Sequence, residues 1–146
     1  RLTDELLADG HADPAVIRLR GQLAVLAGEY ERAEQLFKRA LALAPADPEC
    51  LNALAVLYQQ WGRTADADAY RTAHEKATRD LDELKETARA IAQNPRDPDL
   101  RYKAGVLMLR NGHTAAGVRW LESALAEQPT HEPSRKALAE VARSRR

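Results

Sequence analysis

An Asp-Pro pair recurs along this chain at Asp13-Pro14, Asp47-Pro48 and Asp97-Pro98, with a degraded copy at His131-Glu132-Pro133. The intervals between them are 34, 50 and 34 residues. Each pair reads as a helix start. The Asp carboxylate accepts from a free backbone N–H of the first turn, and Pro gives up an N–H that has no partner there anyway. A second set of marks runs in phase with the first: Gly28, Gly62 and Gly112 each fall 15 residues after one of these Asp residues. Gly can take the left-handed conformation that closes a helix and lets the chain reverse. The predicted unit is therefore a helical hairpin, repeated, with one interval longer than the others by 16 residues.

The longer interval contains Thr64 to Gln93, a run of 30 residues without Gly or Pro. Nothing in it stops a helix. Gly62 precedes it and Asn94-Pro95 forbids continuation, so one helix about 45 Å long is expected at ~1.5 Å per residue. Ala77, Leu81, Leu84, Ala88 and Ile91 recur at alternating steps of four and three, which predicts an apolar stripe on one side of the extension. Ala67, Tyr70 and Ala73 or Ala77 serve the preceding hairpin. The expectation is two short bundles, about 1–77 and 78–146, sharing this helix. A break between residues 76 and 82 would contradict it.

Composition agrees with an all-α chain. Ala occurs 28 times and aromatic residues make up 5% of the sequence, so helices can lie close together around an aliphatic core. Lys and Arg number 22, as do Asp and Glu, which removes the overall charge excess of a nucleic-acid or anionic-membrane binder. No stretch approaches the ~20 apolar residues of a membrane span. Cys50 stands alone and reads as a small buried hydrophobe. Beginning on Arg1, the chain is expected to be part of something longer, and its localisation is not legible.

Thirty-four residues of helix, turn and helix resemble the tetratricopeptide repeat family. The first copy carries the family's pattern at Gly21, Gly28, Tyr30, Ala33, Phe37, Ala40 and Pro45. The second keeps Leu51, Leu54, Ala55, Tyr58, Gly62 and Ala67, then departs at Arg71 and His74. The third keeps Gly105, Gly112, Leu121, Ala124 and Pro129, with Gly117 at a small-residue position and Ala104 and Met108 where Leu and Tyr are usual. The resemblance implies a single domain over 1–146, an α-solenoid of hairpins with one extended helix at about 64–93. Repeats fall at 14–47, 48–97 and 98–131, and a capping helix at 132–146. Residues 1–9, with Leu2, Leu6 and Leu7, read as the remnant of a preceding second helix.

Catalytic chemistry is not expected. His11, His74, His113 and His131 show no metal-ligand spacing; three of them sit beside predicted turns, and they are expected to face solvent. The dispersed glycines form no phosphate loop, and Ser123, Ser134 and Ser144 lack a nucleophile context. Neighbouring carboxylates such as Asp66 and Asp68 read as exposed helix charges. Trp61 and Trp120 are expected to pack between helices. No catalytic, cofactor or metal residue is assigned.

In the resembled family, partners are usually bound on the concave face lined by first helices. That resemblance places Arg18, Gln22, Asn52, Gln59, Gln60, Tyr102 and Arg110 in a groove, joined by Lys136 and Arg143 from the cap. Such a surface is polar and net positive, suited to an extended peptide or to a partner segment bearing carboxylates. The family's terminal-carboxylate clamp is not supported, because Arg18, Gln22, Ala53, Asp99 and Lys103 occupy its positions. The expected function is a noncatalytic protein-interaction scaffold. The alternative is an arm of a larger enzyme whose catalytic domain lies elsewhere. Nucleic-acid binding, hinted at only by Arg143, Arg145 and Arg146, is not expected, and neither is a membrane partner. Solenoid ends often pair, which leaves a homodimer through exposed ends among the expected partners.

Overall fold

A computed structural model describes residues 13–146. The segment 1–9 and His11 lie outside the described residues. Among the described residues there are seven helices and no strand: α1 (Pro14–Leu26), α2 (Tyr30–Leu43), α3 (Pro48–Gln60), α4 (Thr64–Gln93), α5 (Pro98–Arg110), α6 (Thr114–Glu127) and α7 (Glu132–Ser144). The fold is an all-α helical repeat.

Three first helices begin on the Asp-Pro device. Asp13 accepts from the Ala15 N–H at 2.9 Å, Asp47 from the Cys50 N–H at 3.2 Å and Asp97 from the Asp99 N–H at 2.9 Å. They also end alike. Gly28, Gly62 and Gly112 have φ of 76°, 79° and 81°, and the residue after each donates its N–H to a carbonyl five positions back at 2.9 Å. A side chain at those positions would be strained, so the sequence places Gly where the chain reverses.

The chain divides into two compact units, Arg1–Thr78 and Arg79–Arg146. In the first, α1 and α2 form a hairpin and α3 packs on α2. Ile17, Phe37, Leu54, Leu57 and Tyr58 are fully or almost fully buried there, together with Cys50 and Ala67. Gly21 permits the close approach within the hairpin: a Cβ on it would lie 2.4 Å from the Phe37 ring. Tyr58 stacks on Trp61 and on Tyr70, and the Arg63 guanidinium lies 4.7 Å from the Tyr58 ring centre. Trp61 thus packs between helices, as expected. In the second unit, α5 and α6 form the hairpin and α7 packs on both. A Cβ on Gly105 would sit 2.9 Å from Leu121 and 3.1 Å from the Gly117 carbonyl oxygen, so the two backbones meet through paired glycines.

Helix α4 runs unbroken for 30 residues, with no turn at 76–82, and the boundary between the units falls within it. Its inward stripe differs from the expected one. Leu81 and Ala88 are exposed, whereas Asp80 and Thr87 are buried; the stripe is Ala77, Asp80, Leu84, Thr87 and Ile91. Asp80 is accepted inside because its carboxylate is saturated by Arg110, at 2.8 and 3.1 Å, and by the Asn111 amide at 2.9 Å. The Thr87 hydroxyl donates to the Glu83 carbonyl. A buried carboxylate with three donors costs far less than a bare one.

Candidate functional site

Successive first helices leave a cleft between them, and the cleft recurs. In the first unit, α1 supplies Arg18, Gln22, Val25 and Leu26, and α3 supplies Glu49, Asn52, Ala53, Val56 and Leu57; Phe37 closes the floor. The cavity is about 460 Å³. In the second unit, α5 supplies Tyr102, Val106, Leu109 and Arg110, with Thr114 beside them. Helix α7 supplies Ala137, Glu140, Val141 and Ser144, around about 540 Å³. The two walls correspond residue by residue at an offset of 84: Arg18 with Tyr102, Gln22 with Val106, Val25 with Leu109 and Leu26 with Arg110. On the facing helices Ala53, Val56 and Leu57 correspond to Ala137, Glu140 and Val141.

Of the residues expected in the groove, Arg18, Gln22 and Asn52 line the first cleft, and Tyr102 and Arg110 line the second. The other four line neither. Gln59 accepts from Arg71 at 3.3 Å, and Gln60, Lys136 and Arg143 are exposed elsewhere on their helices. Both groove arginines are already paired. Arg18 meets Glu49, and Asp47 at 3.5 Å; Arg110 holds Asp80 and lies 3.9 Å from Glu83. In the groove that the resemblance implied to be net positive, Arg18 and Arg110 thus each face carboxylates of this chain. Sequence reasoning missed the apolar lining of the first cleft, where Leu26 is 84% and Val56 45% exposed. The signal available in the sequence was spacing, because Leu26 and Val56 fall four residues after Gln22 and Asn52 and so on the same helix faces.

His131 is a second correction. Rather than facing solvent, it is 5% exposed, packs against the Tyr102 ring and caps α7. Its Nδ1 accepts from the Ser134 N–H and hydroxyl, which leaves the proton on Nε2 to donate to Asp99 at 2.7 Å. The order Asp, His, Ser resembles a nucleophile relay only on paper. Ser134 has no exposed surface, so its hydroxyl cannot meet a substrate. His74 is half-buried, its Nδ1 2.9 Å from the Pro48 carbonyl oxygen; His113 is exposed just before α6.

Cys50 carries no exposed reactivity either. Its Sγ lies 3.1 Å from the Phe37 carbonyl oxygen, and burial, reinforced by the Asp47 charge, pushes the thiol up to about 11. Among the described residues no group of three His, Cys, Asp or Glu could hold a metal, and no helix is long and apolar enough to cross a membrane.

Residues 24–80, from the end of α1 through the first half of α4, match the family model for the tetratricopeptide repeat. That segment is similar to a tetratricopeptide repeat. No curated protein matches it significantly. Among solved structures it is similar to YrrB, described as a TPR protein with an unusual peptide-binding site: 19% identity, 86% of this chain and 74% of that one, TM-score 0.40. The first TPR of Spaghetti (RPAP3), bound to an HSP90 peptide, is similar at 14% identity over 90% of this chain and 92% of that one, TM-score 0.41. The Sgt2 TPR domain from Aspergillus fumigatus is similar at 19% identity over 90% and 78%, TM-score 0.40. Both clefts lie between the first helices of consecutive hairpins, α1 and α3 in one unit and α5 and α7 in the other.

Proposed function

We propose that this chain is a noncatalytic protein-interaction module that takes partner segments in the clefts between its first helices. The observation that carries the reading is recurrence: the same cleft forms in each unit from corresponding positions, while its side chains differ. Packing alone requires the buried residues of each hairpin, such as Gly21 against Phe37 and Gly105 against Leu121. It does not require the outward-facing Leu26, Val56, Gln22 and Asn52. A concave, partly apolar wall with a few polar groups is the form of site that binds a chain segment.

The test is site-specific photocrosslinking in the full chain. A benzophenone side chain at Asn52 or at Glu140 is expected to capture the same partner segment repeatedly, and one at exposed Arg39 on α2 is expected to capture none. Equal capture at Arg39, or none at either cleft, would discard the assignment.

A further inference from the structure

Resting on that reading, we infer that the cleft of the first unit takes an extended, uncharged peptide segment anchored by an aliphatic or aromatic side chain, and does not select an acidic one. Three observations converge. Among the described residues the only guanidinium in the wall, Arg18, is engaged by Glu49 and Asp47, so an incoming carboxylate would meet a cation already shared between two anions. Displacing those carboxylates would also take Asp47 from the α3 N-terminus it caps. Above this pair the wall is apolar and open, with Leu26 and Val56 on opposite sides over Phe37 and Leu57. Such a slot gains from removing a partner's apolar side chain from water.

Gln22 and Asn52 supply the remaining chemistry. They face the same cleft from α1 and α3, and neither side-chain amide has a hydrogen-bond partner within the described residues. A primary amide offers donor and acceptor together, which matches the N–H and C=O of an extended backbone and carries no charge preference. The second unit provides an internal comparison. At the positions of Leu26 and Val56 it has Arg110 and Glu140, so the corresponding cleft has a charged rim in place of an apolar one.

The experiment pans a random displayed-peptide library on the full chain and on two variants. One is Leu26→Arg with Val56→Glu, which gives the first cleft the rim of the second at two exposed positions. The other is Arg18→Gln. Enrichment of neutral peptides with a Leu, Ile, Met or Phe anchor is expected, with affinity falling at least about tenfold in the double variant and the same neutral class still enriched on Arg18→Gln. Enrichment of acidic or carboxyl-terminal peptides that require Arg18 would overturn this inference and leave the interaction module standing. Neutral binders indifferent to Leu26→Arg/Val56→Glu would also overturn it. Failure to enrich any peptide would count against both.

Discussion

At the scale of single residues, the repeat depends on positions where only hydrogen fits. Gly21 has the nearly fully buried Phe37 ring against it, so Gly21→Ala should cost about 1–3 kcal/mol by overpacking. Gly62 is different: open space surrounds it, but its φ of 79° penalises any Cβ, and Gly62→Ala should cost about 1–2 kcal/mol. Urea denaturation separates the two causes. Phe37→Leu should recover part of the loss in Gly21→Ala and none in Gly62→Ala; equal recovery would contradict the packing argument. Cys50 gives a residue-scale pH prediction. Well below pH 9 its thiol is protonated in both folded and unfolded chains. Between about 9 and 11 the unfolded chain loses the proton first, so this residue's contribution to stability falls as pH rises. Thiol alkylation at pH 8 should accordingly wait on unfolding, and fast labelling of the native chain would show that the group is not enclosed.

At the scale of elements, the boundaries were legible because they are set locally. An Asp-Pro start and a Gly stop fix hydrogen bonds within one turn, and all three pairs do what their sequence implies. The face of α4 was not legible. The stripes 77-81-84-88-91 and 77-80-84-87-91 share three positions, and hydrophobicity favours Leu81 and Ala88 over Asp80 and Thr87. What decides between them is Arg110, thirty residues away, whose guanidinium makes Asp80 an acceptable buried group. The same blindness to distant partners hid the role of His131, which replaces Asp as a cap and also reaches Asp99. It hid the neutralised Arg18 as well. Asp80→Ala should therefore destabilise the second unit by about 1.5–3 kcal/mol, the range for hydrogen bonds to a charged group. Leu81→Ala, at a 41% exposed position, should cost under about 1 kcal/mol. The reverse order in a denaturation series would restore the stripe read from hydrophobicity.

At the scale of the whole molecule, stability in a helical repeat is a sum of local units and their neighbours' contributions. Trp61 lies in the first unit and Trp120 in the second, so Trp120→Phe and Trp61→Phe backgrounds leave one reporter for each. Gly105→Ala presses on Leu121 and on the Gly117 carbonyl, and should lower the urea midpoint seen by Trp120 more than that seen by Trp61. Identical shifts would mean that the units unfold as one. The functional account depends on the walls presented by first helices. Its most direct measurement is an NMR titration of the isotope-labelled chain with a bound peptide or partner segment, following the side-chain amide resonances of Gln22 and Asn52 and the methyl groups of Leu26 and Val56. The account predicts that these shift first and furthest. Shifts confined to the outer faces of α2, α6 or the exposed side of α4, with the cleft resonances unmoved, would contradict it.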